Sequence, residues 1–150
     1  MMLSKKLGSF LTMAFMAAGT MGSAHAAEFL DISKTAASCT KSSSLVGKTF
    51  ALTSRAHAVQ GDVTVVDDCT LLISNFNYDG NGLQVEVYSA ESGSFLNGRS
   101  LSTDLLRKGN PYKNASLLLR LPSTLSIADI DGVSIWCSDA AVSFGDVLFN

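Results

Sequence analysis

Residues 79–88 read DGNGLQVEVY, a turn signal followed at once by a strand pattern. The turn combines Asp, Asn and two Gly, the residues that tolerate the backbone angles of tight turns. Apolar Leu83, Val85 and Val87 then alternate with polar residues, which is the period of a strand with one buried face. This stretch therefore predicts a β protein in which short strands are joined by tight turns.

Outward from this stretch, short apolar runs alternate with Gly, Asn, Asp and Ser clusters from Lys48 to the end of the chain. Such spacing is typical of an all-β fold. The predicted strands are Thr49–Thr53, Val63–Val66, Leu71–Asn75, Leu83–Tyr88, Ser116–Leu121, Val133–Cys137 and Ala141–Phe144. One helical turn is expected within Ser123–Asp131. Because exposed strand edges must be closed or covered, residues 48–150 are predicted to form a single-domain antiparallel β-sandwich or barrel-like fold.

The N-terminus has the layout of a cleaved secretory signal peptide over residues 1–26. A basic start precedes an apolar run from Leu7 to Ala18, and small residues lead to an expected cleavage between Ala26 and Ala27. The apolar run has about a dozen residues, too few to cross a bilayer of about 30 Å as a helix. We therefore expect a secreted or periplasmic protein without a stable membrane anchor, beginning with a polar N-terminal segment over residues 27–47.

Charge and composition exclude several functions. Two of the 11 basic residues, Lys5 and Lys6, fall in the signal peptide, and all 13 acidic residues follow it, so the formal charge after cleavage is −4. An acidic chain without a basic cluster does not attract nucleic acid. The exported part has His57 as its single histidine and no Met, too few ligands for a blue-copper or zinc site. With no catalytic constellation either, the sequence indicates neither an enzyme nor a metal centre.

Outside the cytoplasm, paired cysteines are expected to form disulfides. Three cysteines allow three single pairings, and each pairing leaves one free thiol. Cys39 lies in the polar N-terminal segment, and Cys69 follows two Asp residues at a predicted turn, so both positions are loop-like. Cys137 shares a strand face with Val133 and Ile135, which directs its sulfur to the core. The favoured pairing is therefore Cys39–Cys69, which would tie the N-terminal segment to the sheet.

The leftover thiol of Cys137 has two interpretations. It is either a small buried hydrophobic residue or a redox group that a metal or haem iron could capture. An apolar face and the nearby Asp139 carboxylate predict a raised thiol pKa, which does not favour a reactive thiolate. The neighbouring Trp136 points to the opposite sheet face. It forms either a candidate ligand surface or a contact with a second covering layer.

An ordered set of motifs runs through the predicted strands. It consists of Gly61-Asp62-Val63-Thr64-Val65, Leu72–Gly80, Leu119-Arg120-Leu121-Pro122, Val133-Ser134-Ile135-Trp136-Cys137 and Val142-Ser143-Phe144-Gly145. In this order and spacing the chain resembles the DM13 domain family, from about Lys48 to Phe149. The resemblance implies a compact, extracellular, strand-rich domain that accompanies DOMON and cytochrome b561 domains in larger proteins.

The resemblance also implies a role in electron transfer, because the family has a near-invariant cysteine that has been proposed to act as a free thiol or a haem ligand. That cysteine matches Cys137, which makes haem the candidate cofactor. Because the sequence contains no companion domain, the expected partner is a separate redox protein or an extracellular ligand. The alternative is a non-catalytic binding or structural module in which Cys137 is only a buried residue. The oligomeric state is not indicated by the sequence.

Overall fold

The computed structural model describes residues 26–35 and 38–150. Except for Ala26, the predicted signal peptide lies outside the described residues. The described strands are β1 (Phe29–Asp31), β2 (Thr49–Ala51), β3 (Thr53–Ser54), β4 (Gln60–Asp67), β5 (Thr70–Tyr78), β6 (Val85–Ala90), β7 (Tyr112–Arg120), β8 (Gly132–Cys137) and β9 (Val142–Leu148). A single 3₁₀ turn, Ile127–Asp129, lies within the segment for which a helical turn is predicted.

The strands form two sheets, with the order β1-β7-β5-β4-β2 in the first and β3-β9-β8-β6 in the second. The strand pairs are antiparallel except for β1 and β7, which run parallel. A shared apolar core is formed by residues of both sheets, including Val63, Ile73, Leu117, Val87 and Ile135, all at 0% exposure. The predicted all-β class and the sandwich architecture are therefore confirmed.

The predicted strand Thr49–Thr53 is divided at Leu52. Its first part, β2, pairs with β4 in the first sheet, whereas β3 pairs with β9 in the second. Leu52 itself donates a backbone hydrogen bond of 2.9 Å to the Gly61 carbonyl and is buried. The chain thus passes from one sheet to the other at Leu52. The sequence pattern does not show this passage, because it predicts one continuous strand.

The DGNG turn also connects the two sheets. The connector of residues 79–84 leads from β5 in the first sheet to β6 in the second, so the turn does not close a hairpin. The Asn81 N–H donates to the Asp79 carboxylate at 2.8 Å, and Gly80 and Gly82 have φ angles of 77° and 152°. These angles suit glycine because it has no Cβ. The connector brings the start of β6 to the end of β8, where Cys137 lies.

The N-terminal segment contains β1, a strand that the sequence analysis did not predict. Its neighbours hold it through backbone hydrogen bonds: Ser116 donates to the Glu28 carbonyl at 2.7 Å and Ile32 to the Leu118 carbonyl at 2.9 Å. Ile32 is buried, whereas Phe29 is 63% exposed. The strand β1 has three residues and is followed by one buried residue, Ile32. This stretch is too short to show the two-residue period from which a strand is predicted.

A disulfide joins Cys39 to Cys69, the pair that the sequence analysis favours. Cys69 lies in the turn between β4 and β5, where its N–H donates to the Asp67 carboxylate at 2.8 Å. Close by, the Ser43 N–H donates to Asp68 at 2.7 Å. The disulfide and this hydrogen bond attach the N-terminal segment to the first sheet. Within the described ranges, no helix has the length and apolar character needed to cross a membrane.

Candidate functional site

Cys137 is the last residue of β8 and lies at one end of the sandwich. Its Cα is paired with Val85 on β6 and with Val142 on β9. The residue is only 2% exposed and belongs to the apolar core. It is also the free cysteine of the described part of the chain, because the other two form the disulfide.

The sulfur of Cys137 faces backbone amides from two loops. Removal from water disfavours the thiolate, but the N–H groups of Leu83, Ala140 and Gln84 point at the sulfur, so the pKa of the Cys137 thiol lies below its usual range. Leu83 and Gln84 come from the connector before β6, and Ala140 from the turn between β8 and β9. Hydrogen bonds to the charged form of a group favour that form, so this arrangement stabilises a thiolate.

The prediction of a raised thiol pKa is therefore wrong. Its two reasons hold, since burial and the charge of Asp139 both raise the pKa of Cys137, but the backbone amides outweigh them. Asp139 also lies in the turn after β8 and not on a continued strand. The amides leave no signal in the sequence, because every residue other than proline has a backbone N–H. Only the folded paths of the connector and of the turn after β8 bring these three close to one sulfur.

An aromatic and charged cluster lies beside the same end of the sandwich. Tyr78 is 1% exposed, and its hydroxyl donates to the Asn81 carbonyl at 2.6 Å. Its pKa is raised, mainly by burial and further by nearby negative charge that includes Cys137. His57 Nδ1 lies 2.9 Å from the Asp79 carboxylate, and its ring centroid is 4.0 Å from that of Phe144.

The hydrogen-bonded pair of His57 and Asp79 has a structural effect on the connector. The Asp79 N–H also donates to the His57 carbonyl at 3.3 Å, so side chain and backbone join the same two residues. His57 and the following Ala58 have positive φ angles of 53° and 54°, which L-residues adopt at a cost. These contacts hold the beginning of the connector whose last two residues reach the sulfur.

Trp136 lies on the outer face of the second sheet. Its Cα is paired with Glu86 on β6, and its ring centroid is 6.1 Å from that of Tyr88 and 6.3 Å from that of Phe95. Phe95 belongs to the segment between β6 and β7, which covers this part of the face. Trp136 is therefore only 8% exposed, and its role as a ligand surface stays a prediction.

The residues around Cys137 do not fit a haem. A thiolate that binds haem iron needs an open approach wide enough for the porphyrin, whereas the sulfur is enclosed in the core and already faces three backbone amides. In the described residues, no three His, Cys, Asp or Glu side chains are placed to hold a metal ion.

These observations define a class of protein: a disulfide-linked β-sandwich domain with one free, amide-stabilised cysteine at the end of its core. The sequence pattern of the family described as electron transfer DM13 matches residues 50–149. The chain belongs to the DM13 family.

Several longer proteins are similar to this chain. Protein Skeletor, isoforms B/C, of Drosophila melanogaster is 37% identical over 107 residues, which cover 67% of this chain and 13% of Skeletor. A cytochrome b561, DM13 and DOMON domain-containing protein of Arabidopsis thaliana is 33% identical over 116 residues, which cover 75% of this chain and 12% of the plant protein. The chain thus spans about one eighth of the length of these relatives. No solved structure matches it.

Proposed function

We propose that this chain is an exported DM13 domain that takes part in electron transfer through the thiol of Cys137. The family description supports a redox role, and the plant relative carries its DM13 domain in one chain with cytochrome b561. By analogy with the cytochrome b561 domain of that relative, the partner of this domain is a redox protein. The disulfide and the predicted signal peptide support a secreted or periplasmic location.

The observation that carries this proposal is the place of the free Cys137 thiol at the end of β8, beside the connector before β6 and the turn after β8, whose backbone N–H groups lower its pKa. A cysteine that only fills space in an apolar core has no need of donors, and burial by itself raises its pKa. Here, three N–H groups from two loops offset that effect at the free thiol. The thiolate is the reactive form of cysteine, so the fold favours the species that redox chemistry requires.

Thiol–disulfide exchange is the step that this site supports. Because Cys137 is only 2% exposed, the loops around the end of β8 must open locally before a partner disulfide can reach it. The Cys137 thiolate then uses its lone pair to form a bond with one sulfur of that disulfide. The partner's S–S bond breaks, and its second sulfur leaves as a thiolate with the bonding electrons. A thiolate of a second, reduced dithiol protein then attacks the Cys137 sulfur of the mixed disulfide, and the first partner leaves as a dithiol. The remaining thiolate of the second protein attacks its own sulfur in the new mixed disulfide, which oxidises that protein to a disulfide and releases Cys137 as a thiolate. Two electrons thus pass from the second protein to the first, and Cys137 acts as the relay.

Alkylation and exchange on the folded protein test this proposal. We expect Cys137 to react with iodoacetamide at neutral pH without denaturant, and to form a mixed disulfide with glutathione disulfide, both detected by intact mass spectrometry. Circular dichroism before and after the reaction verifies that the fold persists, and Cys137→Ser provides the control without the thiol. A thiol that reacts only after unfolding would contradict the proposal and favour the non-catalytic binding or structural module.

A further inference from the structure

Two exposed apolar residues flank the strand end at which Cys137 lies. Leu83 is 67% exposed and Val142 is 44% exposed, although both are large hydrophobic residues. Val142 is the direct Cα partner of Cys137 on β9, and Leu83 lies two residues before Val85, the Cα partner of Cys137 on β6. The reactive atom therefore lies beneath a surface whose apolar residues are open to solvent; we call Leu83 and Val142 the apolar rim.

Carboxylates lie close to the apolar rim. Asp139, in the turn between β8 and β9, is near enough for its charge to act on the Cys137 sulfur. Asp104 precedes Leu105, whose N–H donates to the Val85 carbonyl at 2.8 Å, which places Asp104 roughly two strand spacings, or about 10 Å, from Cys137. Among the described residues neither carboxylate forms an ion pair.

Arg107, a basic residue beside the connector, does not neutralise this region. Arg107 donates its backbone N–H to the Gly80 carbonyl, but its guanidinium is paired with Glu28 at 2.7 Å and lies over the Tyr112 ring. The apolar rim is thus bordered by negative charge on a chain whose formal charge after the predicted cleavage is −4. A second copy of the same surface would bring like charges together, which disfavours self-association here.

We propose that the apolar rim is the docking surface for a partner protein whose reactive disulfide lies in an apolar patch with Lys or Arg around it. This inference rests on the proposed function of Cys137. Apolar contact at Leu83 and Val142 desolvates the approaching sulfur, and attraction to Asp104 and Asp139 increases the rate of encounter. Transient redox complexes have small interfaces, so a contact built on a few exposed residues is sufficient for a short-lived complex.

Two synthetic peptides test the charge complementarity. Each carries a central cysteine, flanked by the same Leu and Val residues, in a disulfide with a small neutral thiol. One peptide has four outer Lys residues and the other four outer Glu residues. The rate of mixed-disulfide formation at Cys137 is measured by intact mass spectrometry. At low salt we expect the Lys peptide to react at least about tenfold faster, and the ratio to approach one in about 0.5 M salt.

Variants separate the docking surface from the thiol. Leu83→Ser and Val142→Thr should each lower the ratio of the Lys-peptide rate to the rate of the small neutral probe hydroxyethyl disulfide about threefold or more, a ratio that cancels any change in thiolate content. Leu96→Ser is the matched control, since Leu96 is 72% exposed and lies in the segment after β6, away from Val85. Asp104→Asn should lower the ratio of Lys-peptide to Glu-peptide rates, a ratio that cancels any change in thiolate content.

The outcomes distinguish the two proposals. If hydroxyethyl disulfide reacts with Cys137 but both peptides fail, or react equally fast at low salt, the docking surface is refuted and the thiol function stands. The docking surface would also be refuted if Leu96→Ser and Leu83→Ser changed the rate of the Lys peptide, relative to that of hydroxyethyl disulfide, equally. If no disulfide reacts with Cys137 in the folded protein, the proposed function itself is wrong.

Discussion

Leu83 lies two residues before Val85, the Cα partner of Cys137 on β6, and its backbone N–H lowers the pKa of the Cys137 thiol. The connector between the two sheets thus acts on the end of β8. A backbone donor does not depend on the identity of its side chain. Exposed Leu83 can therefore be replaced while its amide stays at the sulfur. This separation allows the contact surface and the chemistry of the thiol to be tested independently.

The rate of Cys137 alkylation should reach half of its maximum at a lower pH than the value of about 8.5 for a free cysteine. The reason is the set of backbone amides that lowers the thiol pKa against the opposing effects of burial and Asp139. Asp139→Asn removes a negative charge near the sulfur, so its midpoint should move lower still. The measurement is the pH dependence of iodoacetamide modification in the folded protein. A midpoint above that of free cysteine would show that burial dominates.

Gly82→Ala should raise the pH midpoint of Cys137 alkylation. A Cβ on Gly82 would lie 2.7 Å from Val85 Cγ2, and the residue has a φ angle of 152°, so the connector must shift and carry the next two amides with it. We also expect a loss of about 1–3 kcal/mol in the free energy of unfolding from overpacking.

Gly109→Ala is the matched control for this change. Gly109 also has a positive φ angle, 77°, but an added Cβ there meets no atom within 4 Å. Its variant should be strained locally and leave the alkylation midpoint in place. If the two glycine variants gave the same midpoint as the parent protein, the connector would not be responsible for the low thiol pKa.

Acid stability should depend on Asp146. Burial raises its pKa, but hydrogen bonds from Arg55 and Ser143 and the charge of Arg55 outweigh burial, so the folded-state pKa is lowered. A carboxyl group with a lowered pKa stabilises the fold above its unfolded value of about 3.9, and this contribution is lost as the pH falls through the folded value. Asp146→Asn should therefore flatten the decline of stability between about pH 5 and pH 2.

Urea unfolding at a series of pH values measures this effect. Arg55→Leu should remove part of the same pH dependence, because it leaves the carboxylate without its cation while burial still opposes the charge. If the free energy of unfolding of Asp146→Asn declined with falling pH as steeply as that of the parent protein, other carboxylates would be responsible for the acid sensitivity.

Removal of the disulfide should destabilise the sandwich by about 3–4 kcal/mol, because the bridge closes a loop between residues separated by 30 positions. The double variant Cys39→Ser, Cys69→Ser measures this loss in urea unfolding, with Cys137→Ser as the control for replacing a cysteine. Peptide mapping without reduction should recover Cys39 linked to Cys69. A bridge from Cys137 to either residue would overturn the pairing and the redox proposal together.

The strand pattern was predictable because local chemistry determines it. Val85 and Val87, alternating with polar residues, and the two cysteines in loop-like positions identify a disulfide-linked all-β chain, and ordered motifs identify its family. These features can be predicted from the sequence because a strand buries every second residue and a turn requires particular backbone angles. The prediction that Leu83 shares the buried face of Val85 and Val87 is wrong, because Leu83 lies in the connector before β6 and is 67% exposed.

The surroundings of Cys137 depended on tertiary structure alone. The sequence shows Asp139 beside the cysteine but not the amides of Leu83 and Gln84, which arrive from another sheet connection and reverse the direction of the pKa shift. It likewise shows Trp136 alternating with Cys137, but not the cover that Phe95 provides. The sequence specifies the identity of each side chain. The position of a backbone dipole or of a covering loop is determined only when distant segments of the chain pack together.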